Sequence, residues 1–271
     1  MRIKVLIIGK NSFIGKNIYR KLRRKLHIVC LSFENVEKKK NTFFKRFKFI
    51  INCSIKTNYI KKKYKKINDL DLFLAKKIQF NNCKYIFLST RKVYKSKLNI
   101  TEGSITKPID QYGKNKLISE KKLNNILSDR LLVLRISNII GLKDYNKRKM
   151  HTTFLDYFYK HIINNEIIFF KKTYKDFLSI NQFTDILFLL IKKNAQGIFN
   201  VSLGRKVYLK NIVKWLNFYN KKKINRINVN KDMNLDSFTL SNKKLKKIIN
   251  YKILIKDLKK DCLSISRKFF I

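Results

Sequence analysis

Ile3-Lys4-Val5-Leu6-Ile7-Ile8-Gly9-Lys10-Asn11-Ser12-Phe13-Ile14-Gly15 sets the reading of the whole chain. The continuous run from Ile3 to Ile8 suits a strand buried on both faces. It passes straight into Gly9 without the small-residue cleavage site of a signal region, so it reads as a first strand. Phe13 to Leu26 then carries helical spacing with a basic outer face. A strand, a glycine turn and a helix start, in that order, make a place for a nucleotide diphosphate, because the first N–H groups of a helix point at an anion. Gly9 permits the tight turn and Gly15 lets helix and strand pack closely. Ser12 stands where a second glycine is usual, which narrows the room for backbone approach.

Working outward, Ile28–Leu31, Phe47–Cys53, Tyr85–Leu88 and Leu131–Ile136 read as further strands. Asn68–Phe80 and Tyr112–Leu127 read as helices between them. This alternation predicts an α/β, Rossmann-like, doubly wound parallel sheet with right-handed crossovers. Beyond Gly141 the pattern is irregular. Helices are expected at Phe154–Ile163, Asn181–Ile191, Leu209–Tyr219, Ser241–Ile249 and Asp257–Ile265, and short strands at Ile167–Phe170 and Ile198–Val201. Asn35–Lys45 and Tyr59–Lys66 read as polar basic loops. There is no internal repeat and no flexible linker.

With 271 residues and 45% hydrophobic content, the chain can build one substantial core with a smaller appendage. No apolar run is long enough to span a bilayer. Cys30, Cys53, Cys83 and Cys262 are scattered without CxxC spacing, which implies buried, reduced thiols of a cytoplasmic protein and argues against a disulfide framework or a zinc site. The net charge of +47 admits a nucleic-acid or anionic-membrane partner. Against that, alanine occurs only at Ala75 and Ala195 and proline only at Pro108, while Lys, Asn, Ile, Phe and Tyr abound. This is the signature of AT-rich coding, and the lysines are spread through every segment. Compositional drift is therefore favoured, with no specific nucleic acid and no membrane expected, although codon bias does not account for only 17 acidic residues. Such a charge still implies salt-sensitive, non-specific binding to polyanions.

Tyr112 and Lys116 lie one helical turn apart on one face. A nearby ammonium favours phenolate and lowers a phenol's pKa, which makes a proton donor and acceptor for use near neutral pH. Ser89 and Thr90 end a strand, where open sheets place ligand groups. Each feature has a plain structural alternative: an ordinary helix face for the first pair, strand-end capping for the second. His27, His151 and His161 lack metal-ligand spacing, so no metal site is expected. Trp215 suits packing on an apolar helix.

Taken together, these motifs resemble a known family. Gly9 to Gly15, Leu88-Ser89-Thr90 with Val93-Tyr94, Tyr112 to Lys116 with Glu120, and Arg135-Ile136-Ser137-Asn138-Ile139-Ile140-Gly141 follow the order of the extended short-chain dehydrogenases/reductases, the NAD-dependent epimerase/dehydratase group. Asp176 to Asp185 resembles that family's return to the sheet. The resemblance implies a Rossmann domain over 1–141, with 177–202 returning to it, and a smaller C-terminal substrate-binding subdomain from 142–176 and 203–271. It implies Tyr112 as catalytic acid/base, Lys116 as its pKa modulator and a ribose ligand, and Thr90, with Ser89 second, as the group that orients a carbonyl. Gly9, Ser12, Phe13, Ile14 and Gly15 would hold the cofactor diphosphate. Asn52, Cys53 and Ser54 would lie beside the cofactor, and Asn138 would meet the sugar nucleotide.

The cofactor so implied is NAD or NADP. Ser32 stands where an acidic residue would bind the adenosine ribose, which leaves room for a 2′-phosphate near Lys10, while Glu34 could restore NAD. The stretch from Ser32 to Phe47 is short for the family, and Leu142 replaces its usual proline. Arg91 and Lys92 occupy the place of the acidic pair of the family's dehydratases, which argues against 4,6-dehydration. The resemblance therefore points to reduction of a 4-keto nucleotide-diphosphosugar, as in reductases of the dTDP-4-dehydrorhamnose kind. C4 epimerisation is the neighbouring alternative, and a non-catalytic protein binding RNA or acidic partners the more distant one. A homodimer is a family expectation only.

Overall fold

The computed structural model describes residues 2–142, 154–163, 166–169, 173–222, 225–228 and 237–271. In chain order the first half contains β1 (Lys4–Ile8), α1 (Phe13–Leu22), β2 (His27–Leu31), α2 (Phe33–Glu37), β3 (Phe49–Asn52), α3 (Thr57–Lys61), α4 (Leu70–Ile78), β4 (Lys84–Thr90), α5 (Gln111–Leu127) and β5 (Leu131–Ile136). The second half contains β6 (Asn138–Ile140), α6 (Phe154–Ile163), β7 (Glu166–Phe169), β8 (Tyr174–Lys175), β9 (Phe177–Ser179), α7 (Ile180–Lys192), β10 (Gly197–Val201), β11 (Val207–Tyr208), α8 (Leu209–Leu216), β12 (Asn225–Asn228), α9 (Lys243–Ile248) and α10 (Ile255–Phe270).

The main sheet has six strands in the order β10-β5-β4-β3-β1-β2, and every pairing in it is parallel. It is the α/β sheet expected from the strand–helix alternation. Strand residues divide between its two faces by parity. Val5 and Ile7 join the core beneath α1 and α7, whereas Leu6 and Ile8 join the core beneath α4 and α5. β4 repeats the division: Ile86 and Leu88 face the first layer, Tyr85 and Phe87 the second. Apolar residues on both faces are what a parallel strand between two helical layers requires.

The chain order reverses between β1 and β3, which opens a crevice beyond their carboxyl ends. The loops that leave β1, β3 and β4 all meet this edge. β2 forms the opposite border of the sheet, and the chain returns from it to β3 without adding a strand. The segments expected to be polar loops are partly helical. α2 and a 3-10 turn at Asn41–Arg46 fill much of the first, and α3 enters the second. Their apolar residues explain this: Val36, Phe44 and Tyr59 are buried, and Phe33 packs against Phe73 of α4, ring centroids 5.7 Å apart.

α7 carries the chain back to the sheet, so that β10 pairs with β5. Lys21 of α1 ties to Asp185 of α7 at 2.7 Å. β6 pairs with β9, β8 with β11 and β7 with β12 in three small ribbons. Asp176, fully buried, fastens these later segments by accepting from the N–H groups of Leu203 (3.1 Å), Gly204 (3.2 Å) and Leu240 (3.0 Å). Burial pushes its carboxyl up to about 7, against those donors. Among the four cysteines, Cys83 and Cys262 are buried as expected, but Cys30 and Cys53 are only half-buried; all are free thiols. Trp215 packs against the main core. No helix among the described residues is long and apolar enough to cross a membrane.

Candidate active site

The turn after β1 forms a tight glycine cradle between β1 and α1. Gly9 has φ +97°, and a Cβ there would lie 2.7 Å from Ser54 Oγ. A Cβ on Gly15 would lie 2.6 Å from the Gly9 carbonyl oxygen, so both glycines are required by close approach. Ser12 caps α1, its hydroxyl accepting from Gly15 N–H at 2.9 Å. The side chain that replaces a glycine therefore folds back onto the turn. Phe13 and Ile14 open the helix, and no acidic residue occupies its first turn to oppose an anion.

Asn52 shapes the facing loop. Its Oδ1 accepts from Ser54 N–H (2.9 Å), and its Nδ2 donates to Ser54 O (3.1 Å) and to Asp71 Oδ1 (3.0 Å). This bends Cys53 and Ser54 over Gly9. The Cys53 thiol is raised by burial, with Cys30 and Asp71 adding to it, so it stays protonated. At the tip of β2, Ser32 caps α2 by accepting from Asn35 N–H at 3.3 Å. Glu34 is exposed, and its own backbone N–H together with the Ser32 hydroxyl holds its carboxyl below the usual range.

β4 ends in two hydroxyls with different surroundings. Ser89 faces the α5 layer, is buried, and donates to Glu120, which is in turn held by Arg135 at 2.6 Å. Thr90 is half-buried at the crevice, its hydroxyl accepting from Lys92 N–H at 3.3 Å. Parity commits Ser89 to the α5 layer, while Thr90, the last residue of β4, is left half-buried at the strand's carboxyl end.

α5 is brought against that strand end by Asp110 and Gly113. Asp110 Oδ1 accepts from Gly113 N–H (2.7 Å), while its other oxygen is bonded by Lys92. Burial raises the Asp110 carboxyl, but those bonds outweigh it and hold it below its ordinary value. A Cβ on Gly113 would lie 2.3 Å from the Lys92 carbonyl oxygen. Lys92, one of the two cations after Thr90, is therefore a clamp between the β4 end and the helix bearing Tyr112. Arg91 is buried, its guanidinium 4.1 Å from the Phe238 ring.

Lys116 is buried, with Nζ 4.3 Å from the Phe87 ring, 6.0 Å from the Tyr112 ring and 3.8 Å from Asp71 Oδ2. The phenol of Tyr112 departs from the expectation of a lowered pKa. Burial raises it; Lys116 pulls it down without prevailing, and Asp71 and Asp110 add to the rise. Asn138 opens β6, half-buried, its N–H 3.4 Å from the Asp176 carbonyl. His27 is exposed on β2, and His151 lies outside the described residues, as does most of the loop from Lys143 onward. No group of residues suited to holding a metal ion occurs among the described residues.

The cradle, the Asn52–Ser54 loop, Thr90, Tyr112 and Lys116 thus share one edge of the sheet. Sequence reasoning assigned no role to Asp71, Gly113 or Tyr59. Asp71 leaves a trace in the sequence, as a lone carboxylate inside the apolar run Leu70-Asp71-Leu72-Phe73-Leu74.

This constellation defines a doubly wound α/β protein with a Tyr–Lys pair at its crevice. The chain belongs to the family described as the RmlD substrate-binding domain, whose model matches residues 2–161. None of the curated proteins matches the chain in sequence. Among solved structures, a UDP-N-acetylglucosamine 4-epimerase from Methanobrevibacter ruminantium M1, in complex with UDP-N-acetylmuramic acid, superposes with TM-score 0.80 at 18% identity, over 99% of each chain. A dTDP-4-dehydrorhamnose reductase from Clostridium acetobutylicum superposes with TM-score 0.76 at 15% identity, over 96% of this chain and 98% of its own. A dTDP-glucose 4,6-dehydratase from Bacillus anthracis, in complex with NAD, gives 0.73 at 15% identity, over 98% of this chain and 96% of its own.

Proposed function

We propose that the protein is an NAD(P)-dependent oxidoreductase that reduces a 4-keto nucleotide-diphosphosugar. The observation that carries this reading is the placement of Thr90, Tyr112 and Lys116 on the same sheet edge as the glycine cradle. Family membership and the reductase among similar structures support it.

The residues fit a dinucleotide. Gly9 and Gly15 let the chain turn tightly, and the first N–H groups of α1 face the diphosphate. The Asn52–Ser54 loop forms the adjoining wall, and Lys116 meets the nicotinamide ribose. When bound, the nicotinamide supplies the hydride. Thr90 donates a hydrogen bond to the sugar carbonyl and holds it in line. Tyr112 gives its proton to the carbonyl oxygen as the alcohol forms, and Lys116 offsets the phenolate left behind. An ordinary phenol already carries its proton at neutral pH, and the upward shift at Tyr112 keeps it there, as reduction requires at the start. The later segments, 142–176 and 203–271, would supply the sugar-nucleotide pocket, with Asn138 at its border. Ser89, bonded to Glu120, supports Thr90 from behind and has no direct part in the chemistry.

Nicotinamide fluorescence should detect binding of NADH or NADPH, and a panel of 4-keto nucleotide sugars should show stoichiometric loss of reduced cofactor. Tyr112→Phe should lower turnover by ~10²–10⁴ with cofactor binding retained. Turnover unchanged in that variant would remove Tyr112 as the acid. An epimerase, the reading favoured by the similar Methanobrevibacter structure, would convert its substrate without net loss of reduced cofactor.

A further inference from the structure

We propose that Asp71 is a positioning residue: it anchors Lys116 in the crevice and sets how much of the ammonium's charge reaches Tyr112. The inference rests on reading Tyr112 and Lys116 as the working pair. Asp71 lies in the first turn of α4, 6% exposed, with its side chain turned inward beneath α5. Oδ1 accepts from Asn52 Nδ2 at 3.0 Å and from the Tyr85 hydroxyl at 2.7 Å. Those two donors, from β3 and β4, fix the carboxylate, and Oδ2 stands 3.8 Å from Lys116 Nζ. The ammonium is otherwise bordered by the rings of Phe87, Tyr59 and Tyr112.

A carboxylate held this way does two things. It gives a buried lysine a counter-charge, without which its desolvation would be costly. It also cancels part of the positive field that would favour phenolate at Tyr112. Burial raises the Asp71 carboxyl, while Lys116 and the bonds from Tyr85 and Asn52 oppose that rise. The titratable groups facing Asp71 are Lys116 and Tyr112 from α5, Tyr85 from β4, Cys53 after β3, Tyr59 from α3 and Asp69 at the head of α4. Those facing Tyr112 are Lys116, Asp71, Asp110 and Tyr59. Of the carboxylates facing Tyr112, Asp71 alone also sits against the lysine. The same side chain spans from the Asn52 turn over the cradle to the Tyr–Lys pair, so the two halves of the crevice share one polar support.

The test is a pH titration of the Tyr112 phenol in the full unliganded chain, by NMR of tyrosine labelled with ¹³C at Cζ, the signal assigned with Tyr112→Phe. In Asp71→Asn the midpoint should move to lower pH by about one unit, as expected when a neighbouring negative charge is removed. Asp71→Ser, smaller and still able to accept from Asn52 and Tyr85, should move it the same way if the asparagine variant does not fold. Asp71→Glu, which keeps the charge, should stay near the parent. A midpoint in Asp71→Asn or Asp71→Ser that coincides with the parent or rises overturns the proposal. NADH and NADPH titrations of the same samples separate the two readings. Absence of cofactor binding in the parent would sink the proposed function while the Asp71 coupling is still measured; binding with an unmoved midpoint would sink the Asp71 role alone.

Discussion

Glu120 is 5% exposed and accepts from Ser89 and, at 2.6 Å, from Arg135 Nη2. Arg135, 4% exposed, also donates to the Tyr94 hydroxyl at 2.7 Å, which itself donates to Asn200 at 3.0 Å. The network joins α5, β4, β5 and β10 immediately behind Thr90. Deleting one partner of a buried ion pair leaves the other charged and desolvated. Glu120→Ala should therefore cost about 3–5 kcal/mol in urea unfolding, with Glu120→Gln costing less because the amide still accepts from Arg135. A loss under about 1 kcal/mol would mean that Arg135 reaches water when its partner is gone. At this scale Gly9, Gly15, Thr90, Tyr112 and Lys116 stand out in the sequence as candidates, because each is a local chemical requirement. Asp71 does not, because its meaning lies in Asn52, Tyr85 and Lys116, residues 19, 14 and 45 positions away that only the fold brings to it. The net direction of the Tyr112 pKa was misjudged for the same reason: a pairwise rule counted the ammonium and had no access to burial.

Helix α5 shows why elements are placed by contacts as much as by propensity. Glycine in its first turn is intrinsically poor, and alanine would favour the helix by about 1 kcal/mol. Gly113 nonetheless has the Lys92 carbonyl against it, where a methyl group would have 2.3 Å of room. Gly113→Ala should therefore push the start of α5 away from the turn after β4 and strain the Lys92–Asp110 tie. A displacement of about 1 Å of Tyr112 relative to Thr90 is enough to lower turnover ~10²-fold. The melting temperature should also fall, against the propensity trend. A rise in melting temperature with unchanged turnover would show that the contact relaxes without moving the tyrosine. Periodicity found the long elements, α5 and the core strands, because a buried stripe or a fully apolar strand is a strong signal. It missed α2 and α3, five residues each, whose packing rests on single aromatic side chains such as Phe33 and Tyr59. It also missed β6, β8 and β11, of two or three residues, which exist only through their partners.

Over the whole molecule, 64 basic and 17 acidic side chains leave a surface that repels itself. The acidic groups that matter most for shape are spent internally: Asp71 and Glu120 on buried cations, Asp176 on three backbone N–H groups from two segments, Asp110 on Lys92. Few remain to offset the lysines outside. Mutual repulsion destabilises the compact state more than the expanded one, and its range is the Debye length, about 10 Å at 0.1 M salt and about 3 Å at 1 M. Raising sodium chloride should therefore raise the melting temperature. The buried pairs at Lys116 and Arg135 are screened little, and half-buried surface pairs such as Lys21–Asp185 contribute only about 0–1 kcal/mol to lose. The expected curve climbs most steeply from low salt to about 0.2 M, where the Debye length changes most in absolute terms, and then levels. Sulfate, which strengthens burial by exclusion, should add a further rise that continues past that plateau. A melting temperature that is flat or falls in chloride would mean that the lysines stand far enough apart in the fold to ignore one another, and that the loss of a few internal ion pairs outweighs all of them.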